Sequence, residues 1–236
     1  MRTVRVGLGI ELIDYQEGWD LQRRTHAEVV DGGEDTVILL EHAGVYTAGK
    51  RTASWDRPAD GTPVIDVDRG GRITWHGPGQ LVAYPIVRLR EPTDVVAYVR
   101  VLEQAVIDLA AEHGVATVRV PGRSGVWVPA DARGGERKLC AVGVRVARGV
   151  TMHGIAINAG PDLTAYDRIV PCGIADAGVT SLSAETGGTV TVTDIADATE
   201  RQLLQALAQV SARPARPAGQ VAPTVPARAG TAAAGR

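Results

Sequence analysis

The order in which strand-like and helix-like runs follow one another constrains this chain more than any single motif. Near its centre, "KLCAVGVRV" (residues 138–146) and "TMHGIAIN" (residues 151–158) are strand-forming runs on either side of a short Arg148-Gly149 turn, a spacing that makes them neighbours in one sheet. "TVIL" (residues 36–39), "QLVAYPIV" (residues 80–87) and "SGVWV" (residues 124–128) read as further strands, the second interrupted by Pro85, which has no N–H to give a ladder. A helix is expected from "PTDVV" onward. Val95, Val99, Leu102, Val106 and Leu109 recur there at three- and four-residue steps, and Gly114 suits the position after the end. A second helix is expected from about Asp194, with Ile195, Leu203, Leu207 and Val210 on its inner face and Thr191 with Asp194 as a capping pair. A third covers residues 19–30. Strands and helices mix without strict βαβ alternation, which favours the α+β class over a doubly wound parallel sheet.

The chain of 236 residues is 44% hydrophobic and 22% charged, ordinary for a globular protein. One catalytic-size domain is expected over residues 1–210. After it, "SARPARPAGQVAPTVPARAGTAAAGR" (residues 211–236) has too few large apolar groups to offset its ordering entropy, so a disordered tail is expected. The formal charge is -2, and the tail holds Arg213, Arg216, Arg228 and Arg236 without an acid. The body is therefore more acidic than the whole, which argues against a nucleic-acid partner. Two cysteines make no disulfide framework, and no Cys-x-x-Cys or His-x-x-x-His spacing points to a metal. The start has no uninterrupted apolar core of a signal peptide, and no run reaches membrane-spanning length. The expectation is a reduced, cytoplasmic protein that does not engage a membrane.

Several stretches carry residues capable of chemistry. "DRGGRITWHGPGQ" (residues 68–80) brackets a short strand-like piece with glycines, which permit close approach of a ligand to backbone N–H groups; two tight turns around a hairpin strand would look the same. On a regular strand, Lys138, Cys140 and Val142 would share one face and Leu139, Ala141 and Gly143 the other. A lysine at a strand's start is commonly just a solvated end. Beside a thiol it does more: the ammonium favours the thiolate, and a pKa lowered by about two units corresponds to ~2.7 kcal/mol. A Cys/Lys pair is thus a workable nucleophile and base. By spacing, Cys140 is the obvious partner, yet a strand cysteine among Leu139, Ala141 and Val142 is typical inert packing. Cys172, in "RIVPCGIADAG", stands between proline and glycine, as in a turn that presents a side chain. Composition leaves that choice open. His76 and His153 each precede a glycine and are candidates to line one cavity, whereas His26, His42 and His113 read as surface or helix positions. Ser124 lacks the G-x-S-x-G elbow of a serine hydrolase.

Taken together and in order, "LLEHAGVYTAGKR", "DRGGRITWHGPGQLVAYPIV", "GRSGVWV", "RKLCAVGVRV", "TMHGIAIN" and "IVPCGIADAGVTSL" resemble the lipoyl(octanoyl) transferases, over residues 39 to 182. The resemblance implies a fold similar to that of the biotin and lipoate protein ligases, a mixed β-sheet with packed helices. It implies transfer of an octanoyl group from acyl carrier protein to a lysine of a lipoyl domain, on 2-oxoacid dehydrogenase complexes or the glycine cleavage H protein, without a cofactor. The family's acyl-thioester cysteine falls on Cys172 and the lysine that favours its thiolate on Lys138. The acyl-contacting segments fall on Arg69, Gly70, Gly71, Arg72, Ile73, Thr74, Trp75 and His76, on Ala141, Val142 and Gly143, and on Gly154, Ile155 and Ala156. Gly71, Gly77, Gly143 and Gly154 would leave room for an alkyl chain, and Ile73, Val142 and Ile155 would supply apolar contact. Arg119, Arg123, Arg145 and Arg148 are candidates for a basic patch facing an acidic carrier. Two other readings are an ATP-dependent lipoate ligase of the same fold and a non-catalytic binding module that kept it.

Overall fold

The computed structural model of the chain describes residues 1–169 and 178–213. Cys172 and residues 214–236 of the expected tail lie outside them. Among the described residues the strands are β1 (Arg2–Val6), β2 (Thr36–Leu40), β3 (Val45–Ala48), β4 (Val64–Asp66), β5 (Thr74–His76), β6 (Gln80–Ile86), β7 (Val118–Val120), β8 (Arg123–Val128), β9 (Arg137–Ala147), β10 (Val150–Asn158) and β11 (Gly178–Val179). The helices are α1 (Tyr15–Val30), α2 (Val95–Glu112), α3 (Leu182–Thr186) and α4 (Val192–Leu207). The main sheet runs in the order β1-β2-β6-β10-β9-β8-β7, with β11 also paired to β9; a small sheet runs β4-β3-β5. β1 is parallel to β2 and β11 to β9, and the other neighbours in the main sheet are antiparallel. This is the mixed sheet of an α+β fold.

β9 and β10 pair as a hairpin, as the sequence predicts, and lie in the middle of the main sheet. Its turn takes left-handed angles at two successive residues, Arg148 (φ 54°) and Gly149 (φ 73°), the combination whose twist matches that of paired strands. The helices begin where a side chain satisfies their first N–H groups. Asp14 accepts from Gln16 and Glu17, so α1 starts four residues before the periodicity shows it. Asp94 caps α2, and Thr191 with Asp194 forms the capping box of α4. On α2 the buried face is Tyr98, Leu102, Ala105, Val106 and Leu109, while Val95 is left exposed in the first turn.

Helices α2 and α4 cover one face of the main sheet, over Leu39, Leu81, Ala83, Leu139, Cys140, Ile155 and Ile157. Helix α1 covers part of the other face, over Ile38, Leu40, Val82, Ile86 and Met152. Each fully buried Leu or Ile contributes about 1.5–3 kcal/mol, so both faces are committed core. A third cluster, Tyr46, Ile73, Trp75, Tyr166 and Ile169, packs under the small sheet. That sheet carries the turn at residues 69–72 over β9, where the Gly70 N–H donates to the Val144 carbonyl at 2.9 Å. Between this turn, α1 and the sheet a space is left open. The packed body extends three residues beyond Val210: Ser211 is buried and its hydroxyl donates to Asp35 at 2.7 Å, and Arg213 reaches the Gly33 carbonyl.

Candidate active site

The position of Lys138 depends on a break in the strand pattern. Cys140 pairs with Val126 of β8, but Lys138 pairs with Trp127, so Leu139 is an extra residue on β9. Such a bulge adds a residue and reverses the alternation beyond it. Leu139 and Cys140 consequently both enter the core under α2. Lys138 instead joins Ala141 and Gly143 on the cavity side. The expectation that Lys138 and Cys140 share a face is therefore corrected: strict alternation cannot pass through a bulge. The Cys140 thiol is fully buried, and burial is the main reason its pKa is pushed up to about 12. It is packing. Lys138 is 5% exposed, with its ammonium 4.5 Å from the centre of the Trp127 ring.

The open space is a cavity of about 400 Å³. Lys138, Ala141, Gly143 and Ala156 contribute to it from the sheet, with Arg69, Gly71, Arg72, Thr74 and His76 from the small sheet and its turn. Val142, His153, Gly154 and Ile155 also border it. The three segments expected to contact an acyl chain thus converge. Within the first, Ile73 and Trp75 turn the other way, into the third cluster with Tyr46, and Gly70 is held by its bond to Val144. Small residues are required where backbones close in. A Cβ on Gly143 would stand 2.9 Å from Arg69 Cδ, and one on Gly154 would stand 2.2 Å from the Ala83 carbonyl oxygen. The Arg69 guanidinium is buried and donates to the Thr47 carbonyl and hydroxyl at 2.8 and 2.9 Å and to the Gly70 and Arg72 carbonyls at 3.1 and 2.8 Å. It holds the turn closed with a cation.

Histidine chemistry at the cavity is set by hydrogen bonds and desolvation. His76 Nδ1–H donates to Gln80 Oε1 at 2.7 Å, which leaves Nε2 unprotonated. Burial, then the neighbouring His42 and Arg69, push its pKa down to about 3. The Gln80 amide donates in turn to Asn158 Oδ1 at 2.9 Å and to the Tyr166 hydroxyl at 2.9 Å. Asn158 Nδ2 donates to the Thr180 carbonyl at 2.9 Å. His42, expected at a surface or helix position, is instead fully buried on the segment after β2. Its Nδ1–H donates to the Ile13 carbonyl at 2.9 Å and its Nε2 accepts from the Tyr84 hydroxyl at 2.7 Å; burial lowers its pKa to about 4. His153 takes φ 57° inside β10, its N–H donates to Gln22 at 2.8 Å, and its Nε2–H donates to Asp68 at 2.7 Å. That bond is the main cause holding the Asp68 carboxyl below its ordinary range, while burial lowers the pKa of His153. Tyr15, Tyr84 and Arg51 also border the cavity and are not singled out by the sequence. For Tyr84 the signal was present, since alternation along β6 puts it on the face of Val82 and Ile86.

Both flanks of residues 170–177 are anchored beside this cavity. Ile169 packs in the cluster of Ile73 and Trp75, whose neighbours Thr74 and His76 line it. Val179 of β11 pairs with Lys138 itself, and the Thr180 N–H donates to the Lys138 carbonyl at 3.0 Å. Three of the four arginines expected to form a patch make acid contacts. Arg119 meets the buried Glu103 carboxylate at 3.2 Å, Arg123 meets Glu136 at 3.3 Å, and Arg145 pairs with Asp68. Among the described residues no helix is long and apolar enough to cross a membrane, and no cluster of His, Cys, Asp and Glu could hold a metal.

With this geometry in place, comparison with known proteins defines the class. The lipoyl protein ligase A/B catalytic domain matches residues 14–204, and the chain belongs to that family. Within it, an octanoyltransferase of Salinispora arenicola is 66% identical over 192 residues, covering 81% of this chain and 90% of that protein. The bipartite lipoate protein ligase of Thermoplasma acidophilum, solved in a study that includes its E2 lipoyl domain, superposes with a TM-score of 0.60 at 13% identity, covering 87% of this chain and 82% of that one. The biotin protein ligase of Aquifex aeolicus, with biotin and ATP, superposes at 0.52 and 15% identity, covering 88% and 71%. At such identities the two structures establish the fold alone.

Proposed function

We propose that the chain transfers an octanoyl group from an acyl carrier protein thioester to a lysine of a lipoyl domain, through an acyl-enzyme on Cys172. The Cys172 thiolate attacks the thioester carbonyl, the new carbon–sulfur bond forms, and the pantetheine sulfur leaves with a proton from the Lys138 ammonium. The neutral Lys138 amine then takes a proton from the acceptor lysine as its nitrogen attacks the acyl-enzyme, and the Cys172 thiolate departs. Thiol-for-thiol exchange is nearly balanced in energy and an amide is more stable than a thioester, so no nucleotide is required. The acceptors are lipoyl domains, such as those of 2-oxoacid dehydrogenase complexes and the glycine cleavage H protein.

The observation that carries this reading is the anchoring of β11 on Lys138. Cys172 lies seven positions before Val179, a tether of at most ~25 Å that starts at the lysine's own backbone. The cavity beside Lys138, about 400 Å³ and floored by Ala141, Gly143 and Ala156, fits the size range of small-molecule sites. Each methylene buried there would contribute about 0.8 kcal/mol. The octanoyltransferase relative, similar over nearly its whole length, supports the same substrate. The test is incubation with octanoyl-carrier protein and a lipoyl domain in the absence of ATP. Octanoylated lipoyl-domain lysine is expected; a strict requirement for ATP would instead assign the ligase reaction.

A further inference from the structure

The rim of the cavity carries a second feature that the transfer chemistry does not use. Of the four tryptophans, three are wholly or partly buried, and Trp55 stands 76% exposed on the single turn Ser54–Asp56. Isolated exposed apolar residues are ordinary on protein surfaces, but this one is held in place. The next residue, Asp56, has a fully buried carboxylate that accepts from the Ala53 N–H at 2.9 Å and from the Arg72 guanidinium at 3.3 Å. The strand of chain leading to the turn is bonded to the cavity wall: the Lys50 N–H donates to the Arg69 carbonyl at 3.1 Å and the Arg51 N–H to the Gly71 carbonyl at 3.0 Å. Arg51 and Arg72 both line the cavity, and the Lys50 and Arg51 side chains are exposed. A buried charge has thus been committed to fixing an exposed indole beside a basic cavity mouth.

We propose that the Trp55 turn, with Lys50 and Arg51, is the docking point for the carrier domain that delivers the acyl donor. This rests on the transfer reading above and adds the surface that the donor occupies. Charge decides between the two protein substrates. The donor's arm is joined to its carrier through a phosphodiester, an anion that would sit just outside the mouth when the thioester is inside, and Lys50 and Arg51 complement it. The acceptor presents a lysine ammonium, which the same rim opposes. Trp and Arg are also the side chains enriched at energetic centres of protein interfaces.

Two measurements test the assignment. The first compares kcat/KM for octanoyl-carrier protein with kcat/KM for octanoyl-pantetheine, a donor with no carrier domain. Trp55→Ala and Lys50→Glu are each expected to lower the ratio of the two by about 10–100-fold, leaving the KM for the lipoyl domain as it was. An unchanged ratio overturns the proposal, and so does a rise confined to the lipoyl-domain KM, which would give the surface to the acceptor. The second is calorimetric binding of a carrier protein bearing an amide-linked, non-transferable octanoyl arm, which reads docking even if the chemistry is not as proposed. Weaker binding by Trp55→Ala supports the surface, and equal affinity refutes it. Absence of any acyl-enzyme with octanoyl-pantetheine would count against the transfer reading alone.

Discussion

Acid stability tests the buried histidines most sharply. His42 and His76 have folded pKa values pushed to about 4 and about 3 by burial, against about 6.5 in an unfolded chain. Above pH 6.5 both are neutral in either state, and their burial costs nothing in proton uptake. As pH falls below 6.5 the unfolded chain takes up two protons that the folded chain refuses, so stability drops until the folded pKa values are reached. The slope approaches 1.4 kcal/mol per pH unit for each histidine, or about 3–4 kcal/mol in total between pH 7 and pH 5 as an upper figure. His153, lowered for the same reason, adds in the same direction. Urea unfolding at pH 7, 6 and 5, analysed at constant m-value, measures this directly. Stability that stays flat over that window would mean that both imidazoles take up their protons in the native state as they do in the unfolded chain. The assignment of His76 Nε2 as an open acceptor on the cavity would then fail.

Three substitutions extend the test. Cys140→Ala should leave the octanoyl adduct intact and lower stability by about 1–2 kcal/mol, because a thiol with a pKa near 12 is ionised in only about one molecule in 10⁵ at pH 7; loss of the adduct by mass spectrometry would reverse the choice of nucleophile. Gly154→Ala should lower thermal stability by the equivalent of about 3 kcal/mol, since its Cβ would meet the Ala83 backbone oxygen at 2.2 Å; an unshifted melting temperature would show that β6 and β10 can separate there. Gln80→Leu should cost about 2–4 kcal/mol and release the His76 tautomer, as it removes the partner of His76 Nδ1 together with a donor to Asn158 Oδ1 and to the Tyr166 hydroxyl; an unchanged imidazole nitrogen spectrum would contradict that network.

How far the sequence discloses this fold varies by feature. The β9–β10 hairpin, the capping box of α4 and the class of the fold were legible, because turn residues, caps and apolar spacing are local signals. The start of α1 was not, since its first turn, Tyr-Gln-Glu-Gly, carries no apolar spacing that would mark Asp14 as a cap. The bulge at Leu139 was hidden for a different reason: it is set by how Val126 and Trp127 of β8 match β9, and cross-strand register leaves no mark in one strand's own residues. His42 was misplaced because its burial comes from α1, where Gly18 lets the helix pass close enough for a Cβ to stand 2.7 Å from the ring. The three segments that the resemblance implies for acyl contact could not be brought together from the sequence, and the fold places residues of all three around one cavity. The Trp55 turn went unread because Asp56 and Arg72, which hold it, lie far apart in the sequence.

The most direct measurement of the account is intact-mass analysis of the chain after incubation with octanoyl-carrier protein alone, without ATP or acceptor. The account predicts a single added octanoyl group in the wild type and in Cys140→Ala, none in Cys172→Ala, and slowed formation in Lys138→Ala. An adduct that persists in Cys172→Ala, or one that forms only when ATP is supplied, would contradict it.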